Sequence, residues 1–199
     1  MTDEDTKNSE KTNVTRCFVA LEMPREVITY IEEIQNLIKK KNLFYGKFTE
    51  PENLHLTLKF LGEIDEKKLE EAKTKLGEIK LSGFEANLGE IGVFSKKFLK
   101  IVWIKLNGKG IFELQKLIDN ALKDIGFESE ERFMSHITIA RIKKVGDKTS
   151  FLEYLKNIKL RKIKFNVSEF FLKKSELHEE GPVYENIKQY PLFSSEKCT

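Results

Sequence analysis

Two stretches of this 199-residue chain, ENLHLTLKF at 52–60 and FMSHITIAR at 133–141, each set a histidine two residues ahead of a threonine inside an apolar run. The chain has three histidines, and His55 and His136 are two of them. With threonine this sparse, finding the pattern twice by chance is roughly a 1% event, so the pair carries more weight than either copy alone. On a strand, side chains alternate between faces. His55 and Thr57 therefore share one face and Leu56 and Leu58 the other, and the same holds for His136 and Thr138 against Ile137 and Ile139. If the two polar faces meet, two imidazoles and two hydroxyls surround one small volume. Imidazole has an ordinary pKa of about 6.5, so near neutral pH one ring can be neutral and another protonated. A neutral ring accepts a proton from an attacking hydroxyl while a charged one donates to a departing oxygen. Such general acid–base catalysis contributes roughly 10²–10⁴-fold each. Threonine hydroxyls suit the non-bridging oxygens of a phosphorus centre, where charge builds up. Two histidines fall short of the three or four ligands that zinc takes. No phosphate-binding glycine loop, dinucleotide fingerprint or nucleophile elbow is present, and the GKG at 108–110 reads as a turn or helix start. His178, in SELHEEGP, reads as a surface loop residue.

These segments need a scaffold, and the apolar periodicity predicts one laid out twice. Residues 16–22 read as a strand. Pro24 opens a helix whose Val27, Ile28, Ile31, Ile34, Leu37 and Ile38 follow the helical period. Residues 55–62 form a strand ending at Gly62, 65–79 a helix capped by Asp65, and 84–94 an extended segment. The second half offers a strand at 101–106, a helix at 110–126 closed by Gly126, a strand at 136–142, a helix at 148–159 and an extended stretch at 164–177. Corresponding elements start 81 to 86 residues apart. The expected fold is α+β and bilobal, with two pseudo-twofold-related lobes. Each lobe has an antiparallel sheet with helices packed outside, and the active cleft lies between them. A disordered acidic tail is expected over 1–15, the single bilobal domain over 16–193 and a flexible C-terminus over 194–199.

Composition agrees with a globular chain: 40% of residues are apolar and 34% charged, with fifteen phenylalanines and a net charge of +3. No apolar run approaches the roughly 20 residues of a membrane span. The opening MTDEDTKNSEKTN has the wrong chemistry for a secretory signal. Cys17 and Cys198 form no ligand or disulfide pattern, which suits a reducing compartment, so a cytoplasmic location is expected. Basic groups at Lys39–Lys41, Lys96-Lys97, Arg161-Lys162-Lys164 and Lys173-Lys174 read as solvated surface charge. Several on one face would favour RNA.

The quoted residues resemble the two-histidine (2H) phosphoesterase superfamily and, within it, the RNA 2′,3′-cyclic phosphodiesterases, also named 2′-5′ RNA ligases. RCFVALEMP, PENLHLTLKFLGEI, GVFSKK with VWIKL, FMSHITIAR and FFLKKSELHEEGPVYENIKQYPL carry the likeness, from about Arg16 to Phe193. Ser135 departs from it, standing where the family often has proline. The resemblance implies hydrolysis of RNA 2′,3′-cyclic phosphate ends to 2′-phosphates, with no metal or other cofactor. An internally duplicated lobe needs no dimer to complete its site, so a monomer is expected. The resemblance gives His55 as proton donor to the 3′ oxygen, His136 as the base that activates water, and Thr57 and Thr138 as phosphate-binding residues. Arg141 is a further phosphate candidate, although strict alternation turns it away from Thr138 unless a bulge intervenes. Phe48 and Phe133 are candidates for stacking on a terminal base. Two alternatives stay open: ligation, in which an RNA 5′-hydroxyl replaces water, and a non-catalytic module that binds RNA ends or nucleotides.

Overall fold

Buried positions at three- and four-residue spacing decide where the helices lie. In α1 (Arg25–Lys41) Val27, Tyr30, Ile31, Ile34 and Ile38 are buried, and Asn42 ends the helix in the left-handed conformation. Three lysines occupy its last turn, where the helix dipole favours positive charge. In the computed structural model, which describes residues 13–94, 99–179 and 181–193, this helix follows β1 (Thr15–Glu22) and precedes β2 (Phe44–Phe48). A 3₁₀ turn at Pro51–Asn53 leads into β3 (His55–Ile64). Then come α2 (Glu66–Gly77), β4 (Phe84–Val93), β5 (Ile101–Asn107), α3 (Lys109–Lys123) and β6 (His136–Val145). The last elements are α4 (Lys148–Asn157), β7 (Lys164–Val167), β8 (Glu169–His178) and β9 (Gly181–Pro191). Asp65 and Asp147 accept backbone N–H groups at the starts of α2 and α4.

The expected α+β plan holds, with corrections of detail. The stretch at 164–177 is two strands parted at Ser168, and α3 ends at Lys123 with Gly126 at φ 89 closing the turn beyond it. Neither β2 nor β9 follows from residue periodicity, and β9 was foreshadowed only by the resemblance. Residues 1–12 and 194–199, with Lys96-Lys97 and Cys198, lie outside the described residues.

All named strand pairings are antiparallel, and the spatial order is β7-β4-β5-β6-β3-β1-β8-β9, with β2 also on β6. The order divides between β6 and β3 into two half-sheets that exchange strands: β2 and β4 from the first half of the chain join β5, β6 and β7, and β8 and β9 from the second half join β1 and β3. There β3 meets β6 through one residue pair, Leu56 opposite Ile137. Both side chains are fully buried. Burying such a side chain is worth roughly 1.5–3 kcal/mol, so this seam is held from the apolar side. The helices reinforce it by crossing over: α1 from the first half packs on β6, and α3 from the second half packs on β3. Among the described residues no helix is long and apolar enough to cross a membrane.

Candidate active site

The seam sets the site. With Leu56 opposite Ile137 in an antiparallel register, His55 lies across from Thr138 and Thr57 across from His136. All four side chains line one cavity of about 690 Å³.

A bulge sits at the same place in both motif strands. On β3, Ala20 faces Thr57 and Val19 faces Lys59, so Leu58 is the extra residue. On β6, Trp103 faces Thr138 and Val102 faces Ala140, so Ile139 is extra. Leu58 and Lys59 are consecutively buried, and so are Ile139 and Ala140. Alternation then resumes one residue out of step. Arg141, which strict alternation turns away, returns to the cavity wall beside Thr138. Its counterpart on β3 is Phe60, which lines the same cavity and is 68% exposed. A guanidinium on one side and an aromatic ring on the other break the pseudo-symmetry.

Backbone carbonyls fix both ring tautomers. His55 Nδ1 lies 2.8 Å from the carbonyl oxygen of Asn53, and His136 Nδ1 lies 2.7 Å from that of Met134. A carbonyl can only accept, so each Nδ1 carries a proton and donates it, leaving each Nε2 for proton exchange. His55 Nε2 is 3.1 Å from Thr57 Oγ1, which donates to it while the ring is neutral. The ring of His55 packs in a triangle with Phe18 and Tyr184, with centroids 5.0 and 5.1 Å away, and His136 meets the edge of Phe94 at 4.8 Å. Burial pushes the His55 pKa down to about 4. The Asn53 carbonyl opposes the shift, Lys173 and Arg141 add to it, and Glu22 opposes it weakly. Burial also lowers His136, against its bond to the Met134 carbonyl. An anion placed between the rings opposes both shifts.

The cations at the cavity are Arg16, Lys47, Lys59, Arg132 and Arg141, scattered singly through the sequence. The expectation of solvated charge at the basic groups fails at Lys173, which is 5% exposed and held by Glu22 and by Asn186. Arg161 pairs with Glu33, Lys164 with Glu85 and Lys174 with Glu176, so these cations are paired locally. Phe48 and Phe133 both reach the cavity, but Phe48 also packs on Phe44 and Phe133 on Phe112. His178 is exposed at the end of β8, next to Glu176. Tyr184 belongs to no motif and lies on β9, which residue periodicity does not mark. Among the described residues no group of three or more His, Cys, Asp or Glu side chains is placed to hold a metal ion.

Comparison with known proteins follows the same division into halves. A family model described as LigT like Phosphoesterase matches the chain twice, over residues 21–103 and 104–184. An RNA 2′,3′-cyclic phosphodiesterase of Methanocaldococcus jannaschii is 32% identical over 177 residues, which is 88% of this chain and 99% of that protein. Another so named, from Methanothermobacter thermautotrophicus, is 31% identical over 185 residues, covering 89% of this chain and 98% of its own. The crystal structure of TT0787 of Thermus thermophilus superposes with a TM-score of 0.77 at 27% identity, covering 91% of this chain and all of that one. Two tandem matches that together reach from β1 into β9, with relatives of matching length, leave one assignment: the chain belongs to the LigT-like phosphoesterase family.

Proposed function

We propose that the protein opens RNA 2′,3′-cyclic phosphodiester ends to 2′-phosphates by two-histidine acid–base catalysis. The observation that supports it best is the pairing of His55 and His136 on one cavity, each with Nδ1 committed to a backbone carbonyl and Nε2 left over. The names of the curated relatives supply the substrate class. In this reading water attacks phosphorus as His136 Nε2 takes its proton. The bond from phosphorus to the 3′ oxygen breaks, and protonated His55 Nε2 gives that oxygen a proton. The products are a 3′-hydroxyl and a 2′-phosphate, and solvent resets both rings.

Thr57 links the protonation state to binding. While His55 is neutral, the Thr57 hydroxyl donates to it. Once the ring is protonated it needs no such donor, and the hydroxyl can turn to a non-bridging oxygen alongside that of Thr138. Arg141 supplies the countercharge, and Phe60, Phe48 or Phe133 offers a face to the terminal base. The low His55 pKa gives the phosphodiester a part in its own cleavage, since its negative charge favours the proton that His55 must donate. The cavity is lined from within one chain, which suits a monomer, and a buried free thiol at Cys17 suits the reducing cytoplasm.

Phosphorus NMR of 2′,3′-cyclic CMP incubated with the protein in EDTA tests this. A 2′-phosphate should accumulate, at a rate bell-shaped in pH, and His55→Ala or His136→Ala should abolish it. Normal turnover in either variant sinks the mechanism.

A further inference from the structure

Two buried polar latches lie at equivalent places in the two halves, reaching the cleft wall at Thr49, Lys59 and Glu130. Gln35 is the eleventh residue of α1 and Asp119 the eleventh of α3; they are 7% and 9% exposed. Gln35 donates from Nε2 to the carbonyl oxygens of Thr49, at 2.8 Å, and Ile139, at 2.9 Å. Asp119 pairs with Lys59, itself 4% exposed, and accepts the backbone N–H of Glu130 at 3.0 and 3.2 Å to its two oxygens. The Lys59 ammonium also donates to the carbonyl oxygen of Glu128 at 2.6 Å.

The two connections follow one plan. Each helix reaches the bulge of the opposite half's motif strand: Ile139 is the extra residue of β6, and Lys59 directly follows the extra residue of β3. Each helix also ties down the loop ahead of its own half's histidine. Thr49 leads to the turn whose Asn53 carbonyl holds His55, and Glu130 leads to Met134, whose carbonyl holds His136. One latch is a neutral amide and the other an ion pair. A buried ion pair is a poor source of stability, because desolvation offsets its attraction and apolar replacements often do as well. Its connections point to another role: it orients groups that touch the reacting atoms, as outer partners of catalytic side chains do.

We infer that Lys59 and Asp119 are positioning residues for His136 and for the cleft wall at Arg132 and Phe133, and that Gln35 serves His55 in the same way. This rests on the acid–base reading of the two histidines. The latches convert a loose seam, with one residue pair between β3 and β6, into a fixed separation of the two rings. Each latch bonds the loop that carries one histidine's carbonyl, so its loss disturbs that ring more than the other.

Nitrogen-15 NMR of the imidazole rings, with steady-state turnover of 2′,3′-cyclic CMP, tests the assignment on the full chain. Lys59→Met should lower kcat at least tenfold at a temperature where circular dichroism shows the variant folded. It should also displace the His136 ring resonances and titration midpoint while leaving those of His55 in place. Gln35→Met should do the reverse. Asp119→Asn, which keeps an oxygen for the Glu130 N–H, should displace His136 as Lys59→Met does and carries the test should that variant not fold. A folded variant with wild-type kcat and an undisturbed His136 overturns the inference, as does equal disturbance of both rings, which would mean general loosening. Should the wild type leave cyclic CMP intact, the acid–base reading falls, while the ring resonances still decide the latches.

Discussion

Acid should destabilise this protein through one identifiable ring. Packing against Phe18 and Tyr184 holds the His55 pKa at about 4, against an ordinary 6.5. Between those values the unfolded chain binds a proton at this residue and the folded chain does not. Stability therefore rises with pH across that window, and below it the penalty is complete. A tenfold change in proton affinity is worth about 1.4 kcal/mol, so the full penalty is about 3 kcal/mol, a large share of the roughly 5–15 kcal/mol that holds a domain folded. The perturbation is His55→Gln, because glutamine can still bond the Asn53 carbonyl but cannot take the proton. Urea unfolding of both proteins, followed by Trp103 fluorescence at about pH 7.5 and about pH 4.5, isolates the effect. Acidification should cost the wild type about 2–3 kcal/mol more than the variant. His136, also lowered by burial, titrates in both proteins and cancels. An equal acid penalty in the two proteins would refute the claim that burial, rather than a countercharge, governs this ring.

Other substitutions probe the scaffold and the cleft. The Ser135 hydroxyl is buried without a hydrogen-bond partner among the described residues, so Ser135→Ala should raise stability by about 1 kcal/mol in urea titration and leave turnover unchanged. A Cβ on Gly46 would lie 2.2 Å from the backbone oxygen of Arg141; Gly46→Ala should cost roughly 1–3 kcal/mol and lower turnover by moving Arg141. Leu56→Ala, at the one residue pair joining the half-sheets, should cost about 2–5 kcal/mol by chemical denaturation. Phe60→Ala should leave stability within about 0.5 kcal/mol. If Phe60 carries the base, this substitution should raise KM for cyclic nucleotides by an amount worth about 1–3 kcal/mol, with little change in kcat.

The two His-x-Thr strands were legible because alternation is local. His55 with Thr57, and His136 with Thr138, needed only the two-residue period of a strand to be placed on one face, and the apolar spacing of Val27, Ile31, Ile34 and Ile38 needed only the helical period. The near-equal spacing of elements along the two halves exposed the duplication, and with it the expectation of a shared cleft. Short or polar strands left weaker marks. FYGKF is interrupted by glycine and PVYENIKQY has no continuous apolar face, so β2 and β9, and with β9 the ring contact of Tyr184 on His55, emerge only once their partners β6 and β8 are in place.

Tertiary structure alone decided the rest, because it concerns relations between distant residues. A bulge is one extra residue on one of two paired strands, and it becomes visible only when Val19 and Ala20 are set against β3, or Val102 and Trp103 against β6. That single step brought Arg141 and Phe60 to the cavity and turned Lys59 inward to Asp119, 60 positions along the chain. Burial works in the same non-local way: nothing in ENLHLTLKF says that Phe18 and Tyr184 will close over the imidazole and strip it of water. Residue type and spacing thus determined which groups could act and which face they would share. Which face met which, and how far each group would be drawn from solvent, was left to packing energies summed over the whole chain.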